Sequence, residues 1–422
     1  MKKWYRLDNA AKIFPALNPK DETNYFRLEA EFVSDVKIEF LSEAVKTALE
    51  RFPMFCVRLR HGLFWFYFEH NYEKPLIREE NYYLFDTVYT DEHHNFLFTV
   101  EYFHNRLSLE VFHSLSDGTG AMEFFKSIIY YYLNFSTDKI KNDGSILTDE
   151  IEKSFSEEQD SFNYNYKNKV KKYPKEPKAF HLSGTSYQDN FVGVIHMEMN
   201  INKVKEVAKK HDATITEYLG AVLLFSLYKN YQSSKKLPIK LFVPVNGRRF
   251  FDSKTLRNFV LFIRTGLDMK NNIKYELKDI IEIIKSDFDR ELKKENLERR
   301  LVSTVKIEKM FYVRLIPLFI KSLIMKLSYE SLGSDLNSMS FSNLGAVKVP
   351  DEFNKYLKKM RFMIGASNKT KINTSAVTYN NILTLSFTTK ILERNIQRDV
   401  ARILKNDGID VTLITNDLEA GL

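Results

Sequence analysis

Stretches with strand-like patterning alternate with stretches in which apolar residues recur every three or four positions, and this alternation runs through both halves of the chain. A strand with one buried face needs a two-residue period, and a helix with one buried stripe needs a period of about 3.6 residues. In the first half, residues 26–32 have strand character. The stretch from 34 or 35 to 51 reads as a helix, with Ile38, Leu41, Val45 and Leu49 at helical spacing and Pro53 to end it. Residues 55–59 and 63–68 predict strands about a turn at His61-Gly62. Residues 95–102 and 106–112 predict a second pair turning at His104-Asn105, followed by an apolar helix over 119–133.

The pattern changes over 148–179, which is polar, charged and carries Pro174 and Pro177. Such a stretch predicts an exposed helix and linker between domains. Beyond it the alternation resumes. Strands are expected at 192–199, 239–245, 259–265, 382–388 and 411–414. Helices are expected at 202–210, at 216–231 with Thr214 or Thr216 as cap, at 274–299, and at 395–407. This organisation predicts an N-terminal α/β domain over 1–150, a linker over 151–185 and a second α/β domain of related build over 186–422. A length of 422 residues suits two domains, and an apolar fraction of 44% suits two buried cores.

Composition excludes several classes. A single cysteine, Cys56, rules out an internal disulfide framework and points to a reducing compartment. Met1-Lys2-Lys3 leads directly into Trp4-Tyr5-Arg6-Leu7-Asp8, which has no apolar core of a signal peptide. The apolar stretch 310–325 is interrupted by Arg314, Pro317 and Lys321 and is too short and charged to span a bilayer. A soluble cytoplasmic protein is the expectation. The net charge of +8 is spread among 55 acidic residues without a dominant basic stripe, so no nucleic-acid partner is expected, and the basic run at 167–178 reads as a solvated linker. There is no Gly-x-Ser-x-Gly elbow, no phosphate-binding Walker loop and no His-Glu-x-x-His. Gly118-Thr119-Gly120 follows a strand and opens a helix, but Glu123 stands where a dinucleotide fingerprint needs its third glycine. The histidines show no metal-ligand spacing, His93-His94 included, so no metal is expected.

What remains is His113-Ser114-Leu115-Ser116-Asp117-Gly118, between the strand at 106–112 and the helix at 119–133. A strand-to-helix loop is a common place for site residues. Two ordinary readings stay open from spacing alone: Asp117 as a helix cap, and His113 as a buried, hydrogen-bonded ring.

The motif resembles the His-x-x-x-Asp-Gly signature of the chloramphenicol-acetyltransferase-like superfamily, which includes alcohol acetyltransferases, plant-type acyltransferases, wax ester synthases and condensation domains. Pro244-Val245-Asn246-Gly247-Arg248-Arg249 is similar to the family's Pro-Val-Asn-x-Arg segment. Thr255-Leu256-Arg257-Asn258-Phe259 resembles its Asn-Phe turn, and Ser340-Phe341-Ser342-Asn343-Leu344-Gly345 its Ser-Asn-Leu-Gly loop. The opening residues Trp4 to Ala11 and the segment Ala179-Phe180-His181-Leu182-Ser183-Gly184-Thr185 look like bacterial alcohol-acetyltransferase-like members. Two departures stand out: Phe112 replaces the first of two histidines found in many condensation domains, and Gly247 stands where leucine is common.

The resemblance implies two α/β sandwich domains in a pseudo-dimer, with a crossover near 340–350 and a tunnel between the domains. It implies a monomer that binds no cofactor and uses acyl-CoA, with acetyl-CoA foremost, as co-substrate for a small-molecule alcohol. Amide or ester formation with a carrier protein acting in trans is the alternative, and an intact His113, Asp117 and Gly118 weighs against a non-catalytic binding relative. His113 takes the role of general base. Asp117 takes a structural role, paired with Arg248. Gly118 leaves room beside the catalytic ring. Ser114, Ser116, Asn343 and backbone N–H groups are candidate oxyanion donors, and Asn258, Ser342 and Gly345 support the loops that line the tunnel.

Overall fold

The structure, a computed structural model, describes residues 4–17, 24–81, 83–85, 90–137, 139–168, 173–188, 191–270 and 273–416. The opening residues 1–3 and part of the expected linker, 169–172, lie outside the described residues. The chain begins with β1 (Trp4–Arg6), β2 (Tyr25–Phe32), α1 (Ile38–Arg51), β3 (Val57–His61), β4 (Phe66–His70) and β5 (Ile77–Glu79). Next come β6 (Phe98–Phe103), β7 (Arg106–Phe112) and α2 (Gly118–Ser136). After the one-turn helix α3 (Ser161–Tyr164) follow β8 (Gly193–Asn200), α4 (Ile201–Lys210), α5 (Ile215–Lys229), β9 (Ile239–Asn246) and β10 (Val260–Leu267). Helices α6 (Leu277–Glu291), α7 (Lys294–Lys309), α8 (Phe311–Leu315) and α9 (Leu318–Leu332) precede β11 (Met339–Ala346), β12 (Leu357–Ile364), β13 (Ile372–Tyr379) and β14 (Ile382–Thr389). The chain closes with α10 (Asn395–Asn406) and β15 (Thr412–Thr415).

Among the described residues the strands form three sheets: a small one, β1-β4-β3, a five-stranded one, β12-β2-β7-β6-β5, and a seven-stranded one, β10-β9-β11-β13-β14-β8-β15. Helices α1 and α2 bury Leu41, Val45, Phe124 and Ile128 with Phe98 and Leu109 of the five-stranded sheet. Rings crowd there, with Phe55 stacked on Phe124 at 4.4 Å. Full burial of each such side chain is worth about 1.5–3 kcal/mol. Helices α5, α6 and α10 bury Leu223, Ile284 and Val400 with Phe387 of the seven-stranded sheet.

The sheets are joined by a strand from far along the chain. After Ala346 the chain leaves the seven-stranded sheet, turns through Asp351–Lys355, and pairs β12 with β2, placing Phe362 opposite Leu28. Side chains then clip the sheets together: Ser375 donates to the Phe362 carbonyl at 2.6 Å and Thr388 to that of Ile364 at 2.6 Å.

Two helices differ from the periodicity. Helix α1 starts at Ile38, not 34 or 35, because the N–H groups of Val33 and Val36 still bond to Tyr356 and His104 as extended chain. The expected helix over 274–299 is two helices, broken at Leu292-Lys293. The break lets Arg300 reach back to Glu291 at 2.9 Å and cover the Tyr173 ring at 3.6 Å, contacts that no local periodicity encodes. Thr214, with Glu217, caps α5. Among the described residues no helix is long and apolar enough to cross a membrane.

Candidate active site

Strand β7 is central in its sheet, and its last residue, Phe112, is buried. The next residue, His113, donates its backbone N–H to the Asn24 carbonyl at 2.9 Å, so its position is fixed by β7 and by the entry to β2. Helix α2 then starts abruptly at Gly118 because Asp117 caps it: Oδ1 accepts from the N–H groups of Thr119 at 3.1 Å and Gly120 at 3.0 Å. A Cβ on Gly120 would stand 1.9 Å from the Leu256 carbonyl oxygen, so only glycine allows the loop to dock on 255–259.

The cap is only half of what Asp117 does. Fully buried, it also accepts from Arg248 Nη1 at 2.8 Å, Arg248 Nη2 at 3.2 Å and the Phe259 N–H at 2.8 Å. Arg248 uses its whole guanidinium: Nε donates to the Thr255 carbonyl at 2.7 Å, Nη2 to that of Arg257 at 2.6 Å, and Nη1 to Asn246 Oδ1 at 3.2 Å. The cap that spacing allows and the ion pair that the resemblance implies are simultaneous. Together they latch the motif loop to two loops of the second half.

The imidazole of His113 stacks on Phe14 at 4.6 Å and meets the edge of Phe26 at 5.3 Å. Burial lowers its pKa below the ordinary 6.5, against its own backbone, the charge of Asp117 and a hydrogen bond to Asn258. That bond runs from His113 Nδ1 to Asn258 Oδ1 at 3.0 Å. Asn258 Nδ2 faces Asp8 Oδ2 at 3.3 Å and the Ser114 carbonyl at 3.5 Å, both acceptors, which orients the amide with its oxygen toward the ring. Nδ1 therefore carries the proton, and the lone pair of Nε2 is the basic one. Asp8 is fully buried, and burial pushes its carboxyl up to about 6 against the pull of Arg257, 3.8 Å away.

The remaining residues picked from sequence serve the loops. Ser114 donates to the Ala11 carbonyl at 3.0 Å and Ser116 to that of Leu256 at 2.6 Å, both fully buried. Asn343 donates to Thr216 at 3.0 Å and accepts the Gly345 N–H at 2.9 Å, closing a turn in which Gly345 has a φ of +79°. Ser342 precedes this turn on β11. The space at Gly118 is filled: a Cβ there would meet Leu344 at 3.0 Å and Phe362 at 3.5 Å. Sequence reasoning did not single out Asp8, Phe14, Asn246 or Gly120. Asp8 lies inside the opening segment that carried part of the resemblance, and Gly120 stands two residues past Gly118. Cys56 is a poor nucleophile, since burial pushes its thiol up to about 11. Among the described residues no group of three or more His, Cys, Asp or Glu is arranged to hold a metal.

The sequence pattern of one protein family, described as alcohol acetyltransferase, matches residues 109–399. No curated protein matches the chain in sequence. Solved structures match it almost end to end at low identity. Polyketide synthase associated protein 5 from Mycobacterium tuberculosis shares 10% identity over 95% of this chain and 97% of its own, with a TM-score of 0.64. Trichothecene 15-O-acetyltransferase TRI3 from Fusarium sporotrichioides shares 9% over 96% and 94%, with a TM-score of 0.62. TRI101 from F. graminearum, complexed with coenzyme A and deoxynivalenol, shares 10% over 94% and 96%, with a TM-score of 0.60. The two-domain fold expected from the motifs is the fold of these structures.

Proposed function

The chain belongs to the alcohol acetyltransferase family, and from that premise we propose that it moves an acyl group, an acetyl group foremost, from a coenzyme A thioester to an alcohol hydroxyl, with His113 as general base. The observation that carries this reading is the 3.0 Å contact between His113 Nδ1 and Asn258 Oδ1, which supports a tautomer with Nδ1 protonated and Nε2 left basic. An alcohol is a weak nucleophile at neutral pH, and Nε2 takes its proton as the oxygen attacks the thioester carbonyl. The tetrahedral oxyanion collapses with cleavage of the C–S bond, and the coenzyme A thiolate leaves and receives the proton from His113. No enzyme-bound acyl intermediate is needed. With the hydroxyls of Ser114 and Ser116 engaged elsewhere, backbone N–H groups and the second amide hydrogen of Asn343 are the candidates left for the oxyanion.

Relatives of this fold crystallised with coenzyme A support the choice of donor. Delivery of a carrier-bound acyl group in trans uses the same chemistry and is the alternative donor; the family match favours coenzyme A. We place the reaction in the cytoplasm and assign it to a monomer. The test is thiol release from acetyl-CoA in the presence of a panel of alcohols and amines. Release with alcohols is expected, and His113→Ala should lower it by about 10²- to 10⁴-fold. Release that depends on amines, or a His113→Ala variant keeping more than about half of the wild-type rate, would remove the mechanism. The acid limb of kcat/KM should lie below pH 6.5, because only neutral His113 is a base and burial disfavours its cation.

A further inference from the structure

Helices α8 and α9 turn their more apolar face to solvent. In α9, Phe319, Leu323 and Leu327 are four residues apart, as are Ile320 and Ile324, so they form two adjoining rows on one side of the helix. All five are exposed, from 42% to 75%. The opposite side holds the inward contacts: Leu318 is buried, Met325 packs on the first core, and buried Lys321 donates to the Phe64 carbonyl at 2.8 Å beneath the face of Trp65. Helix α8 adds exposed Phe311, Tyr312 and Leu315, and the Leu318 N–H, bonded to the Leu63 carbonyl at 2.8 Å, holds exposed Leu63 alongside. Single exposed apolar residues are ordinary, but a clustered face of this size marks an interaction site.

Charge identifies what covers it. From residue 309 to residue 329 every charged side chain is a cation: Lys309, Arg314, Lys321 and Lys326. Lys309 and Arg314 are exposed. The water-facing helix α6 is built differently and mixes signs, as in the pairs Lys285 with Glu282 and Arg290 with Asp287. An apolar face with a basic fringe, in a stretch bounded by Glu308 and Glu330, is the pattern of a helix lying in a membrane interface, where apolar groups sink about 5–10 Å and cations meet lipid phosphates. A second copy fits poorly, because a two-fold contact across this face would bring like cations together.

We propose that the α8–α9 face seats the enzyme on an anionic phospholipid surface without spanning it. The face lies close to the site: α9 packs against the turn Phe14–Ala16, and Phe14 stacks on His113 at 4.6 Å. Docking is independent of turnover, and lipid binding is measured without substrate. The experiment is co-sedimentation of the full chain with vesicles of phosphatidylcholine alone and of phosphatidylcholine mixed with phosphatidylglycerol. The wild type should pellet with the mixed vesicles and bind phosphatidylcholine alone more weakly. Phe319→Glu with Leu323→Glu, both at exposed positions, should weaken binding by at least about tenfold. Arg314→Ala should weaken it on mixed vesicles by about fivefold, one cation's share, and not on phosphatidylcholine. Both variants should melt as the wild type does. The proposal falls if the wild type stays in the supernatant, if it binds both vesicles equally, or if the double variant binds as the wild type does. It falls too if sedimentation equilibrium without lipid shows a dimer that the double variant dissolves, since a second copy then covers the face.

Discussion

Two buried ion clusters in this molecule solve the same problem in opposite ways. At the site, Asp117 and Arg248 form one pair whose remaining hydrogen-bonding positions are filled by backbone groups and Asn246. Beneath the five-stranded sheet, fully buried Arg27 faces four carboxylates: Glu29 at 3.0 Å, Glu80 at 2.9 Å, Glu101 at 2.5 Å and Glu110 at 2.9 Å. That layer continues through Arg361 to Glu31 and Glu198 and ties the two sheets together. The difference is chemical reserve. Carboxylates in excess of their cation can take up protons, whereas a guanidinium that loses its carboxylate keeps its charge at any ordinary pH. Burial and the charge of Glu101 push Glu110 up to about 7, against Arg27, while Glu29, despite its burial, is held down to about 2 by Arg27, Arg106 and Arg361. The layer that joins the sheets therefore holds carboxylates that burial and charge push in opposite directions.

The largest effect is expected at the cluster with most to lose. Arg27→Met should destabilise the protein by at least about 3–5 kcal/mol near pH 7, because it orphans several buried charges. The deficit should shrink as pH falls toward 4.5, since carboxylates with raised folded-state pKa values lend stability in their protonated form. Denaturant melts at two pH values measure this, and a deficit independent of pH would break the comparison. Asp117→Ala should cost about 3–5 kcal/mol with no relief in acid, because the orphaned guanidinium keeps its charge, and Arg248→Ala should cost about 3–5 kcal/mol near pH 7. The double variant should cost less than the sum of the singles; strict additivity, with about 1 kcal/mol for Asp117→Ala, would reduce Asp117 to a helix cap.

Smaller effects sharpen the picture. Asn258→Ala should lower turnover by roughly 10- to 100-fold, the worth of a hydrogen bond to a group that becomes charged. It should also move the acid limb of the pH profile lower, because that bond favours the imidazolium. A merely structural Asn258 would leave the limb in place. In wild-type protein, Glu110 binds its proton more tightly folded than unfolded, so its contribution is present below about 4.5 and lost as pH rises through about 7. Glu110→Gln should flatten stability across that window. Least of all, His113→Ala should hardly shift the melting temperature, since His113 belongs to neither ion cluster.

Part of the site was readable because it is local. His113, Asp117 and Gly118 fall within six residues whose flanking periods place them between a strand and a helix, and Arg248 was identified by its place in a similarly short segment. The partners of His113 were harder to see. Asn258 is 145 residues away and Asp8 is 250 residues from Asn258, and nothing in either neighbourhood announces a shared hydrogen-bond chain. Strand β12 has four consecutive buried residues, Met360, Arg361, Phe362 and Met363, because it lies between partners on both faces, and that removes the alternation by which a strand is recognised.

The sequence by itself determined the alternation of strands and helices, the loop that carries His113 and the absence of an elbow serine or a metal-ligand pattern, since each depends on residues close together in the chain. Only the tertiary structure decided that Asp117 is both cap and ion-pair partner, that Asn258 sets the tautomer of His113, and that β12 crosses to join β2. It also decided which side of α9 faces out. Leu318 and Phe319 are neighbours of like hydropathy, yet one is buried and the other 75% exposed. Apolar character sets how strongly a side chain leaves water, but where it can go is set by what the rest of the fold brings against it.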